Sequence, residues 1–310
     1  MSILLIYICY SIKSPEFAAY KRVIYLFVIT DVVYNAIQIT NQHAYEQANS
    51  NIFVIVHGPS LYFHQDVALF FVLTEIHVCM IGMANNLVVF VFRYFLIVRC
   101  YCLTRFQFAI LIIVNILWHN GSLYWAIMEC KKTQNATIAA IGESLSPRFF
   151  IGTNGESLQS FLLFNPSSTL SYFVFGHICI SCIIVFIGLS ITYVKIQATL
   201  KENKDVMTKS TRLLQRQLTL VMVIHVITPL ILFGIPLGII TYGMIFNINA
   251  NANGYGHMLF MVMVWPIVVN PICSILLIGP CFEKFCQIFH IRGSKQVKDI
   301  SSLNMGSLKV

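Results

Sequence analysis

Acidic and imidazole side chains inside apolar stretches are the residues of this sequence best placed to do chemistry. Asp31 lies about nine residues into one such stretch, Glu75 and His77 share the middle of another, and His119, His177 and His225 occupy three more. An ionisable group surrounded by hydrocarbon costs about 3 kcal/mol on insertion scales, so each needs a reason to be there. A ligand pocket, an ion site and a proton relay are the functional readings. The competing reading is hydrogen bonding between packed helices, which also puts polar groups at depth. That reading is favoured for His119, His177 and His225. For Asp31 and Glu75 both readings stand, because a carboxylate is harder to bury than an imidazole. No catalytic constellation is present: there is no His-Glu-x-x-His, no Gly-x-Ser-x-Gly and no phosphate-binding Walker loop. Cys179 and Cys182 have zinc-ligand spacing but lack a second pair. The chain does not read as an enzyme, and no metal or cofactor is called for.

The elements that must hold these groups are membrane helices. Of 310 residues, 57% are hydrophobic and only 10% charged, with a mean hydropathy of +0.77; a soluble domain carries about 25% charged residues. This excludes an ordinary soluble enzyme, a disordered chain and a disulfide-stapled secreted domain. A spanning helix needs about 20 apolar residues. Six runs qualify, at 23–42, 67–98, 106–128, 170–194, 218–242 and 258–277. A seventh, at 3–12, is only half long enough and reads as the inner half of a first helix whose beginning is absent from this chain. The runs are continuous rather than alternating, so helices are favoured over barrel strands. The expected fold class is an all-α membrane protein: a seven-transmembrane helix bundle over 1–291, its first helix truncated.

The loops orient the bundle. Seventeen of the twenty bases fall on alternate connections together with the tail, and three on the others. The positive-inside rule places the seventeen, and the C-terminus, in the cytosol. The +8 balance therefore reports topology and not nucleic-acid binding. Asn135-Ala136-Thr137 is a glycosylation sequon in the outer loop 129–169; a second, at Asn120, falls inside a span. After the last span, Phe282, Phe285, Cys286 and Phe289 recur at helical spacing, which predicts a short amphipathic helix over 280–291 lying on the inner lipid surface. Cys281 and Cys286 there are candidates for palmitoylation. The remainder, 292–310, reads as a polar, disordered cytoplasmic tail. Cys130 is the one cysteine near the outer surface, and Cys79 is its nearest candidate partner. Pro229, Pro236, Pro266 and Pro271 cluster in the last two spans. Each kinks its helix and supplies a pivot.

Specific residues then carry a resemblance. Lys13-Ser14-Pro15 with Tyr20-Lys21, His57-Gly58-Pro59 with Tyr62-Phe63, Phe92-Arg93-Tyr94, and Val269-Asn270-Pro271 with Gly279-Pro280 occur in this order over residues 1–290. The chain resembles nematode seven-transmembrane chemoreceptors of the Str superfamily, most of all serpentine receptor class delta. The Arg93-Tyr94 pair is similar to the inner end of the third helix in rhodopsin-like receptors. Asn270-Pro271-Ile272-Cys273-Ser274 resembles their Asn-Pro-x-x-Tyr element with serine in place of tyrosine. The resemblance implies a G protein-coupled receptor in the plasma or sensory-cilium membrane, whose partners are a small-molecule ligand, a heterotrimeric G protein and lipid. Glu75 and His77 would contact ligand. Arg93, Tyr94, Lys209, Arg212 and Arg216 would face the G protein, and Pro229, Pro236, Asn270 and Pro271 would form the switch. Three departures qualify this. The first helix is half-length, as in a truncated or degenerate member. Ser60 stands where the family often has cysteine. Phe92 stands where rhodopsin-like receptors have an acid, so Arg93 lacks its local ionic partner. The rival functions are a transporter or channel, and a non-signalling truncated receptor.

Overall fold

The computed structural model describes residues 1–13, 15–48, 51–132, 157–165, 168–235 and 265–291, with isolated positions at 151, 152, 155, 238, 239 and 242. The expected glycosylation site Asn135, the pivot Pro236, the tail 292–310 and the early part of the last span lie outside the described residues.

In chain order, α1 (Ser2–Ser11) and α2 (Pro15–Asn41) are followed by strands β1 (His43–Ala48) and β2 (Asn51–Val56) and a 3-10 turn, Pro59–Tyr62. Next come α3 (Gln65–Ile97) and α4 (Arg105–Asn120), the latter running on through a turn at Gly121 as one span to Lys132. Strand β3 (Gln159–Phe164), α5 (Thr169–Glu202) and α6 (Lys209–Pro229) follow, with a π-helical segment at Leu230–Gly234; α7 (Pro266–Leu277) and α8 (Gly279–Ile288) complete the described chain. Five of these helices are long and apolar enough to cross a membrane. Their outward faces are apolar: Ile180, Ile183, Ile187, Ile191 and Val194 of α5 are each more than half exposed. In water such a stripe would be an aggregation surface, whereas against lipid it is the expected exterior.

The helices begin where side chains can satisfy their free N–H groups. Thr104 and Gln107 form a reciprocal capping box at α4, and Thr208 caps α6 through the Thr211 N–H at 3.2 Å. Pro229 removes one backbone donor, and the π-helical turn that follows widens the helix there. Between α7 and α8 the chain bends by 94°, so α8 leaves the bundle as a separate helix. The Gly279 N–H at the bend donates to Gln217 Oε1 of α6 at 3.0 Å.

Three strands are an addition to the all-α expectation. They pair antiparallel in the order β1-β2-β3, His43 opposite Val56 and Val56 opposite Gln159. Residues 43–66, expected as a loop, thus supply two of the sheet's three strands, and the expected loop 129–169 supplies the third. Two backbone details fix the sheet on the bundle. Gln42, at φ 38°, turns the chain from α2 into β1 in one residue. Gly58 donates to the Asn41 carbonyl at 2.8 Å, and a Cβ there would lie 2.5 Å from the Thr40 carbonyl oxygen. Only glycine permits that approach. The sheet and the near ends of α3 and α4 share one apolar core, with Val54, Val56, Leu69, Val72, Ala126 and Phe161 inside it. At the opposite end α1, α2, α6, α7 and α8 share another, around Leu5, Phe17, Leu218, Ile275 and Cys281.

Candidate functional site

Under the sheet lies a cavity of about 150 Å³, walled by residues of α2, α3, the end of the α4 span, α5, β1, β2 and β3. Both ligand-contact expectations, Glu75 and His77, line it. They sit two residues apart on α3, and both are buried. Glu75 Oε2 accepts from Asn41 Nδ2 at 2.7 Å and lies 3.1 Å from His43 Nδ1. These two groups flank the left-handed Gln42, so the same sharp turn that starts the sheet places both of them beside one carboxylate. The Tyr34 hydroxyl lies within reach of that carboxylate as well. Tyr45 on β1 is enclosed beside it; burial first, and the Glu75 charge second, push its phenol well above the ordinary range. It therefore stays a neutral donor. His77 Nδ1 donates to the Leu73 carbonyl at 2.7 Å, and Nε2 lies 3.2 Å from Ser122 Oγ across on the α4 span.

A second carboxylate lines the same cavity. Glu129, expected at the start of a loop, lies in the helical span that runs to Lys132, is 2% exposed and accepts from Ser171 Oγ of α5 at 3.1 Å. Asn41, His43 and Glu129 were absent from the sequence-based site. A charge ends a hydropathy run, which hides Glu129; Asn41 is an uncharged residue at the last turn of its run, and His43 lies just beyond it. The remaining walls, among them Ile52, Met80, Phe164 and Phe175, are apolar. Cys79 and Cys130, weighed above as an outer pair, both line the cavity, and no disulfide joins them.

At the end with the basic loops, Arg93 is 1% exposed. Its Nη2 donates to Gln215 Oε1 of α6 at 2.9 Å and its Nη1 to Met222 Sδ at 3.0 Å. Gln215 Nε2 donates in turn to the Tyr20 hydroxyl of α2 at 2.6 Å. Among the described residues no carboxylate pairs with Arg93, in keeping with Phe92 at the preceding position. A buried guanidinium thus closes α2, α3 and α6 together through neutral acceptors. Tyr94 is half-buried, with Arg99 and Lys195 over its ring at 6.0 and 5.7 Å, while Lys209, Arg212 and Arg216 are exposed along α6.

Between the two regions α6 meets α7. Ser274 Oγ donates to the Asn270 carbonyl at 2.9 Å, and His225 Nε2 lies 3.2 Å from both oxygens. The serine in place of tyrosine is thus engaged with α6. A small cavity of about 30 Å³, room for about one water, lies here with Asp31, Arg93, His225 and Asn270 in its walls. The favoured reading of His225 as an interhelical hydrogen-bonding group is what the structure displays. Trp118 and Ser181 make a similar link between α4 and α5 at 2.9 Å, with the His177 ring 5.3 Å from that of Trp118 and tilted by 34°.

The palmitoylation expectation meets an obstacle. Cys281 is 0% and Cys286 4% exposed. Cys281 packs against Cys9 of α1, and that thiol contact, more than burial, pushes its pKa above the ordinary thiol value. The helix is amphipathic as expected, but its cysteines are buried, Phe285 packs on the same core, and only Phe289, just past the helix end, is exposed among its phenylalanines.

The model of the family described as serpentine type 7TM GPCR chemoreceptor Str matches residues 1–281. The chain belongs to that family. The receptor also shares its fold with squid rhodopsin, at a TM-score of 0.61 and 12% identity, covering 100% of this chain and 87% of that one. No curated protein matches the receptor. The seven-helix reading and the multi-pass membrane assignment follow from the family and from the apolar helices.

Proposed function

We propose that the receptor binds a small, largely apolar ligand in the cavity beneath the sheet, with Glu75 and His77 as polar contacts. Occupancy would activate a heterotrimeric G protein at the basic end, in a plasma or sensory-cilium membrane with the C-terminus cytosolic. The observation that carries this reading is the pairing, in one bundle, of a roofed cavity at one end with a buried cation latch at the other. A ligand shifts a two-state bundle only by its differential affinity for the active state. The Arg93–Gln215–Tyr20 contact supplies such a state, closed by neutral hydrogen bonds that a helix displacement would break. Opening would carry α6 outward about Pro229 and its π-helical turn. It would uncover Arg93 beside Tyr94, Lys209, Arg212 and Arg216, a basic surface for a G protein. The His225–Asn270–Ser274 contacts would transmit the motion to α7 at Pro271, with Pro236 as a further pivot.

The test is nucleotide exchange. Full-length receptor in lipid nanodiscs is mixed with a heterotrimeric G protein and screened against a panel of volatile and water-soluble small molecules. Exchange stimulated by a panel member, lost in Arg93→Ala at matched receptor amount, supports the reading. A ligand-evoked ion current without any G protein would favour the transporter or channel alternative instead.

A further inference from the structure

An apolar, outward-facing column of α5 ends on a lysine, and that lysine shares one aromatic ring with an arginine that follows α3. We infer that Arg99, Tyr94 and Lys195 form a docking site for the phosphate headgroup of an anionic phospholipid, in the leaflet at the basic end of the bundle, with an acyl chain lying along α5. The site is separate from the ligand cavity, and lipid would occupy it whatever the receptor's ligand.

Ile184, Ile187, Ile191 and Lys195 follow one another at spacings of three and four, so they share one face of α5. The three isoleucines are exposed, and Lys195 is the first charged residue after the uncharged run 170–194. An acyl chain on this column reaches the ammonium where hydrocarbon gives way to headgroups. The second cation is held by the way α3 ends. The Val98 and Arg99 N–H groups both donate to the Tyr94 carbonyl, at 2.9 and 3.3 Å. Cys100 turns left-handed at φ 50°, and the Tyr101 N–H returns to the Phe95 carbonyl at 2.9 Å. This reversal leaves the Arg99 guanidinium 6.0 Å from the centroid of the Tyr94 ring, and the Lys195 ammonium lies 5.7 Å from the same centroid. The ring attracts each cation, but the two repel one another. Among the described residues neither pairs with a carboxylate, and both are exposed. Their N–H donors are therefore open to an outside acceptor. A phosphate supplies the missing negative charge and takes charge-assisted hydrogen bonds from both groups. The isoleucine column distinguishes a lipid from a soluble phosphate or an acidic protein segment, because only the lipid brings a hydrocarbon chain to lie on it.

The probes are phosphatidylserine and phosphatidylcholine carrying the same fluorescent label on one tail, with glycerophosphoserine as a competitor that has the headgroup and no tails. Fluorescence anisotropy reads their binding to purified full-length receptor in micelles of a neutral detergent at physiological salt. Phosphatidylserine is expected to bind at least about tenfold tighter than phosphatidylcholine, two bases being engaged at about fivefold each, and millimolar glycerophosphoserine should not displace it. Arg99→Gln and Lys195→Gln should each weaken phosphatidylserine about fivefold without changing the unfolding midpoint. Lys195→Arg, which keeps the charge, should bind like the parent. The double variant Lys201→Gln, Lys204→Gln removes two exposed bases farther along the chain, and its effect should be less than about twofold because salt screens charges at that distance. Equal affinity for the two lipids, or displacement by glycerophosphoserine, would overturn the inference, as would phosphatidylserine binding indifferent to Arg99→Gln and Lys195→Gln. A loss in the Lys201, Lys204 variant as large as that in Lys195→Gln would also overturn it, by showing diffuse surface charge in place of a site.

Discussion

Arg93 on α3 donates to the side-chain oxygen of Gln215 on α6 at 2.9 Å, and among the described residues no carboxylate pairs with the guanidinium. The closed bundle is thus held at its basic end by a charged donor on a neutral acceptor. A carboxylate at the same position would be a stronger partner. Gln215→Glu should raise the unfolding free energy by about 1–3 kcal/mol, the worth of a hydrogen bond gaining a full opposite charge in a buried site. Thermal unfolding in detergent checks this. An unchanged or lower midpoint would show that Arg93 is already adequately satisfied.

The roof of the cavity depends on a close approach of backbone to backbone at Gly58. Gly58→Ala places a methyl group 2.5 Å from the Thr40 carbonyl oxygen, which can be relieved only by moving the sheet. A loss of about 1–3 kcal/mol is expected, together with faster amide exchange in 51–56. A variant as stable and as protected as the parent would show that the sheet is free to shift.

Asn41 is the direct link from α2 to the Glu75 carboxylate. Asn41→Ala removes a donor from a buried charge, a loss of about 1–3 kcal/mol, and should loosen β1 preferentially. Hydrogen exchange along 43–48 measures this; protection equal to the parent would place the anchoring elsewhere, in His43 alone.

Cys281 and Cys286 face the bundle, and Cys281 touches Cys9. Neither thiol should react with a maleimide in intact membranes, and both should react after denaturation. Hydroxylamine-sensitive acyl label on Cys281 or Cys286 in the native receptor would contradict the inward placement of α8.

The sequence pointed to the bundle because lipid imposes a length and an apolarity that each helix must meet on its own, so the runs around Glu75, His119 and Leu218 declare themselves locally. It did not disclose the sheet. β3 pairs with β2 across about a hundred residues, and the run 52–56 is too short to distinguish a strand from a helix by periodicity. Glu75 and His77 were legible as acidic and imidazole groups at depth. Glu129 was not, because hydropathy counts a charge as an end of a span even where Ser171 and the cavity receive it. Gln215 was overlooked for the opposite reason: an uncharged polar residue near a helix end looks like solvated surface, and only the packing of α3 against α6 gives it a buried cation to hold.

The most direct test of the account removes the latch without a ligand. Gln215→Leu keeps the volume of the side chain and takes away the acceptor that holds Arg93 and Tyr20 together. Nucleotide exchange by a heterotrimeric G protein is measured with the parent and the variant at equal amounts of folded receptor in nanodiscs, no ligand added. The account predicts a basal rate raised about tenfold, the equivalent of a 1.4 kcal/mol shift toward the open state. A basal rate equal to the parent's, in a variant that still binds ligand, would contradict it.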